Sequence, residues 1–128
     1  MPEDVSSLVH QTLLGDALEH AAVAVAVFSD DGRYLACNRA FCTLSGYERD
    51  EIARMRVGVD LAPEGESNLD AYHEILERGN VVTGGRLRRK DGTVATVTVW
   101  AIPSSAAGLP YHLVLYWDTA SGPARSAL

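Results

Sequence analysis

The chain has 128 residues, enough for one domain with its own core, and 47% hydrophobic with 22% charged residues is the composition of a folded protein, not a disordered one. With 11 basic residues against 17 acidic ones the net charge is −6, which repels phosphate backbones and argues against nucleic acid as a partner. The longest apolar stretch, Ala21 to Phe28, is too short to cross a bilayer, and the acidic start Met1-Pro2-Glu3-Asp4 lacks the basic region of a signal peptide, so a cytoplasmic setting away from membranes is expected.

Val5, Leu8, Val9, Thr12 and Leu13 recur at helical spacing, which predicts an amphipathic helix over 4–14, ended by Gly15. A second short helical turn is expected over 16–21. Val23 to Phe28 reads as a strand with two apolar faces: Val23, Val25 and Val27 on one, Ala24, Ala26 and Phe28 on the other. Both faces then need cover. Asp30-Asp31-Gly32 signals a hairpin turn, and Arg33 to Cys37 returns as the partner strand. Asn38 is a suitable N-cap for a short helix, Arg39 to Ser45, closed by Gly46. Cys37 and Cys42 have no His or Cys cluster beside them, so they read as small buried residues and not as a disulfide framework or zinc site.

Glu48, Asp50 and Glu51 place negative charge in the first turn of another helix reaching Met55. Residues 58–67, with Pro63 and Gly65, read as loop. A longer helix from about Glu66 to Arg78 carries Leu69, Tyr72, His73 and Leu76 at i, i+3, i+4 and i+7, which predicts one buried stripe; Gly79 and Asn80 stop it. Val81 to Arg89 is a strand, Asp91-Gly92 a hairpin turn and Thr93 to Ile102 its partner. Pro103 to Pro110 reads as a connection, Tyr111 to Thr119 as the last strand, and Ser121 to Leu128 as a flexible tail. Hairpins dominate this order, so the fold class is α+β, a mostly antiparallel sheet with short helices on one face.

Several pieces recur in a specific series: Asp31-Gly32, Asn38-Arg39-Ala40-Phe41, Leu44-Ser45-Gly46-Tyr47, Glu51-Ile52, then Arg89-Lys90-Asp91-Gly92 and finally Asp118-Thr119. In that spacing the chain resembles the PAS sensory domains of bacterial signal transduction over roughly residues 15 to 120. The resemblance implies a five-stranded antiparallel sheet with short helices on one face, enclosing a small cavity. It divides the chain into an N-terminal helix (1–15), a PAS domain (16–120) and a tail (121–128). It also implies a sensor that binds and relays, not an enzyme. No Gly-x-Ser-x-Gly elbow or phosphate loop contradicts that expectation.

Two pigments are tested by the resemblance. A flavin that forms a covalent adduct needs a cysteine near position 57, where this chain has Val57, so the adduct is excluded while non-covalent flavin stays open. A haem sensor carries its axial histidine where Leu69 stands; His73, one turn on, is the candidate ligand, with a core histidine as the plainer alternative. By the same resemblance, Thr83 stands where the family's oxygen-contacting arginine is expected. The run Arg86-Leu87-Arg88-Arg89-Lys90 has no interleaved aromatic and reads as the solvated edge of a hairpin. Gly84-Gly85, inside a strand, marks a bulge or a close backbone approach.

The cavity candidates, for a small apolar ligand, are Val25, Val27, Leu44, Ile52, Leu69, His73, Leu76, Val97 and Val99. A surplus of apolar surface at Val5, Leu8, Leu13, Phe28, Trp100, Tyr116 and Trp117 points to an interface, for which a homodimer is expected. A helix folded back over its own sheet in a monomer is the alternative. Asp118 and Thr119 are the expected exit of the signal toward an effector domain or partner protein that the sequence does not name. A ligand-free dimerisation or protein-interaction module stays open beside the ligand-binding sensor.

Overall fold

The described residues of this computed structural model are 3–119; the tail expected over 121–128 lies outside them. Strand alternation and tight turns build one five-stranded sheet from β1 (Ala24–Ser29), β2 (Tyr34–Cys37), β3 (Val81–Arg88), β4 (Val94–Ala106) and β5 (Leu109–Asp118). The order is β2-β1-β5-β4-β3 and every pairing is antiparallel, so the first and last strands lie side by side in the middle. Of the helices, α1 (Glu3–Glu19) precedes the sheet, while α2 (Arg39–Ser45), α3 (Arg49–Ile52) and α4 (Leu69–Arg78) separate the β1–β2 hairpin from the β3–β4–β5 meander. α2 packs on β1, α3 on β2 and α4 on β3. This is the α+β arrangement expected.

Register decides which side chains face those helices. Ala24 pairs with Tyr116, Ala26 with Val114, Ala101 with Val114 and Val99 with Tyr116, and all of these are buried in the core with Phe28, Phe41, Ile52, Tyr72 and Ile75. Fully burying Phe28, Phe41 or Ile52 stabilises by roughly 2–3 kcal/mol each. The inner face of β1 is therefore Ala24, Ala26 and Phe28, and Val25 and Val27 belong to the outer face beside Leu115 and Leu113. Alternation could not choose between two apolar faces. Packing does: the small Ala24 and Ala26 let α2 approach, while the Phe28 ring meets Tyr34 and Tyr72 edge-on at 6.3 and 5.6 Å between centroids.

α1 runs straight through Gly15 instead of stopping there. A helical glycine costs only about 1 kcal/mol against alanine, and Asp16 to Glu19 continue the helix. At 100° per residue Val5, Leu8, Val9 and Leu13 share one side, but Leu14 and Leu18 fall on the other, and all six are exposed. The helix is thus less amphipathic than expected and does not bury its leucines on its own sheet.

Asn38 ties the elements together. Its Oδ1 accepts the backbone N–H of Phe41, capping α2, and also that of Val25 in β1, at 3.1 and 2.9 Å. Its Nδ2 donates to the carbonyls of Leu18 in α1 and Val23, at 2.7 and 3.0 Å. Gly46 closes α2 in the left-handed conformation, φ +78°, with its N–H on the Cys42 carbonyl.

The segment from Pro103 to Pro110 is not a connection: β4 continues to Ala106 and β5 starts at Leu109. Both prolines sit where their strand has a single neighbour, since β3 reaches only to Ala101 and β1 only to Tyr111, so their missing N–H groups leave no ladder broken. Ala107 and Gly108 form the two-residue turn with φ of +52° and +79°, the pair of positive values that a tight hairpin requires. α3 also stops earlier than expected, at Ile52, and α4 begins at Leu69, not near Glu66.

Candidate functional site

Between α4 and the inner face of the sheet lies a cavity of about 60 Å³. Its walls are aromatic and aliphatic: Phe28 and Tyr34 from the first hairpin, Tyr72 and Ile75 from α4, and Leu87, Val97, Val99 and Tyr116 from the sheet. Tyr34 and Tyr116 are buried and share a hydrogen bond between hydroxyls; desolvation pushes both phenols above their ordinary range, so they stay protonated. Tyr72 donates its hydroxyl to the Asp30 carbonyl at 2.7 Å, pinning α4 to the β1–β2 turn.

The rim at β3 is closed by one side chain acting as a strand. Asn68 donates to the Arg86 carbonyl at 2.7 Å and accepts the Arg86 N–H at 3.2 Å. Gly85 makes that approach feasible, because a Cβ there would meet Asn68 Oδ1 at 3.2 Å. The Gly84-Gly85 signal therefore marks close approach, while the β3–β4 register is regular and contains no bulge.

Of the expected cavity residues, Val97 and Val99 line it. Val25 and Val27 lie on the outer face, as the β1 register requires. Ile52 is buried, and Leu44 and Leu69 pack against the core, without lining the cavity. His73 and Leu76 are exposed, because α4 is rotated by one residue from the expected stripe: Asn68, Ala71, Tyr72 and Ile75 face inward. Tyr72 belongs to both stripes, which is why the spacing alone could not fix the rotation. The aromatic wall Tyr34–Tyr72–Tyr116 was missed, although the turn Asp30-Asp31-Gly32 sets Tyr34 opposite Phe28.

The expected interface residues divide by face. Phe28 and Tyr116 are inside, at 1% and 8% exposure, since they share the face of Val114. Trp100 and Trp117 are outside, on the same face as Val82, Ile102, Leu113 and Leu115. Trp100 is 40% exposed and its indole N–H donates to Asn80 at 2.9 Å; Val82 beside it is 59% exposed. Val5, Leu8 and Leu13 are exposed on α1. Asp118 pairs with Val97, and Thr119 donates its N–H to the Thr96 carbonyl at 2.9 Å, so the end of β5 is stitched to β4.

The charged groups along β3 and its turn are paired, and of them Arg86 lines the cavity. Arg86 pairs with Glu66 at 3.0 Å, Arg88 donates to the Asp60 carbonyl at 2.9 Å, and Lys90 pairs with Glu51 at 2.9 Å, as expected of a solvated hairpin edge. The residues lining the cavity include neither an imidazole nor a thiol; Val57 and Thr83 both line it. A pocket for a drug-sized ligand spans roughly 300–1,000 Å³. As packed, the cavity fits neither haem nor flavin, and the exposed His73 is not directed to it as an axial ligand. Among the described residues no cluster of three or more His, Cys, Asp or Glu could hold a metal, and no helix is long and apolar enough to cross a membrane.

A family model described as PAS domain matches residues 12–81, more than half of the chain. No curated protein matches the sequence. The fold is similar to the PAS domain of an HTR-like protein from Haloarcula marismortui, at 18% identity and a TM-score of 0.74, over 91% of this chain and 99% of that one. It is also similar to a domain of a sensory box sensor histidine kinase/response regulator from Geobacter sulfurreducens, at 21% identity and a TM-score of 0.70, over 87% and 96%. An RNA-binding light-oxygen-voltage receptor matches at 22% identity and a TM-score of 0.77, over 93% of this chain but 35% of that one. At these identities the likeness is one of fold.

Proposed function

Because the chain belongs to the PAS domain family, we propose that it is a signal-transduction module that works as a homodimer through its outer sheet face and α1. The observation that carries this reading is the apolar outer face, with Trp100 and its cross-strand neighbour Val82 exposed, together with an α1 whose Leu8 and Leu13 are 63% and 64% exposed. Contiguous apolar surface of this kind marks an interface, and covering it yields about 25 cal/mol per Å². A second copy supplies matching cover: in a two-fold dimer, α1 of one copy lies over the sheet of the other and the reverse holds. The message leaves through α1 and through the end of β5 at Asp118 and Thr119, toward an effector or partner protein in a bacterial cytoplasm. The reading assigns the domain no catalysis and no pigment.

A second reading, a sensor of a small apolar ligand, is favoured by one feature: an apolar cavity with a polar clasp at its rim. At about 60 Å³ it would take a molecule of very few heavy atoms, given that a single water needs about 10–15 Å³ of such space. Such a ligand acts only through its differential affinity for two packings of α4 against the sheet.

Sedimentation velocity separates these readings. The wild type should sediment as a dimer at micromolar concentration, and Trp100→Glu as a monomer with unchanged circular dichroism. Identical sedimentation of the two proteins would refute the assigned interface.

A further inference from the structure

A pair of thiols stands at the root of α1, away from both the cavity and the outer sheet face. Cys37 ends β2 and Cys42 lies in α2; both are free and half-buried, with their Sγ atoms 3.9 Å apart. A disulfide needs about 2.05 Å, so closure asks for roughly 2 Å of movement by two short side chains. An open pocket of about 330 Å³ lies beside Cys37, walled by Glu19, Leu35, Arg49 and Ile52. That is within the size range that admits a small molecule. Arg49, ion-paired to Glu19 of α1, places positive charge near both sulfurs.

We propose that Cys37 and Cys42 form a reversible intramolecular disulfide by exchange with a low-molecular-weight disulfide, and that its formation loosens the anchor of α1. The Cys37 sulfur, its proton lost to water, attacks R–S–S–R, forming Cys37–S–S–R and releasing RS⁻. Cys42, deprotonated in turn, attacks the Cys37 sulfur and expels the second RS⁻. The two thiolates recover the two protons, so the protein dithiol is oxidised and one R–S–S–R is reduced to two R–SH.

The consequence for α1 comes from what lies between the sulfurs. Asn38 follows Cys37 directly, and Cys42 donates its N–H to the Asn38 carbonyl at 3.3 Å. Pulling the two sulfurs together therefore strains the segment whose Asn38 side chain holds Leu18, Val23, Val25 and Phe41. Burial and the neighbouring Cys42 push the Cys37 thiol up to about 11, so exchange is slow at neutral pH and quickens by up to about tenfold per pH unit. The pair thus responds to a sustained redox poise and not to a brief pulse of oxidant.

The test equilibrates the purified chain with oxidised glutathione, alkylates remaining thiols and reads intact mass and amide exchange. The wild type should lose two hydrogens, take up neither alkyl group nor glutathione, and revert with dithiothreitol. Cys42→Ser and Cys42→Ala should instead retain one glutathione at Cys37. In the oxidised wild type the Val25 and Phe41 amides should exchange about tenfold faster. Full alkylation after equilibration, a lasting glutathione adduct on the wild type, or a disulfide with unchanged exchange at Val25 and Phe41 would each overturn the proposal.

Discussion

Replacing Asn38 with alanine removes four hydrogen bonds at one buried point. The side chain is 4% exposed, accepts from Val25 and Phe41 and donates to Leu18 and Val23. Loss of a side-chain N-cap costs about 1 kcal/mol. The Leu18 carbonyl keeps the Ala21 N–H at 3.3 Å, while the Val25 N–H and the Val23 carbonyl lose this partner at about 1 kcal/mol each, the low end of the range for unsatisfied groups. The expected destabilisation is about 3 kcal/mol, a large share of the roughly 5–15 kcal/mol that holds a domain folded. In urea unfolding with a slope of about 2 kcal/mol/M the midpoint should fall by about 1.5 M. A loss below about 1 kcal/mol at unchanged slope would refute the reasoning, because that is the effect of a cap already satisfied by water.

Three further perturbations follow from the same structure. Tyr34→Phe leaves the Tyr116 hydroxyl buried and unpaired, so it should destabilise by about 1–2 kcal/mol, whereas Tyr34→Phe with Tyr116→Phe should cost less than twice that; chemical denaturation of all three variants checks the coupling. Ala107→Gly relieves a positive φ of +52° at the β4–β5 turn and should raise stability by about 1 kcal/mol, read as a higher Tm. Glu51 accepts the Glu48 N–H at 3.0 Å and pairs with Lys90, in that order the causes that hold its carboxyl below the ordinary value. Its contribution is therefore full at neutral pH and lost as pH falls through and below the ordinary carboxylate range; Glu51→Gln should flatten part of the acid limb of Tm against pH, and an unaltered limb would contradict the assignment.

Local chemistry made much of the fold readable. Asp30-Asp31-Gly32 and Asp91-Gly92 close hairpins where expected, and Asn38 and Gly46 bracket α2 to the residue. What escaped was the choice among equally apolar alternatives. In β1 both faces are apolar, and only the fit of Ala24 and Ala26 beneath α2 turns Val25 and Val27 outward. On α4, Leu69 and Leu76 compete with Ala71 and Ile75 for the stripe containing Tyr72, and the clasp between Asn68 and Arg86 favours the second. That clasp depends on contact across residues far apart in sequence, for which the only local sign was Gly84-Gly85. Pro103 and Pro110 misled because a proline's missing N–H is harmless on a strand with one neighbour, a property of the sheet and not of the segment.

The proposed homodimer joins through the outer sheet face, and the cavity of about 60 Å³ is below the roughly 300–1,000 Å³ of a pocket for a drug-sized ligand. Native mass spectrometry of the purified chain reads both at once. The expected result is twice the chain's mass with no haem or flavin attached; a monomer throughout the micromolar range, or a chain carrying either pigment, would contradict it.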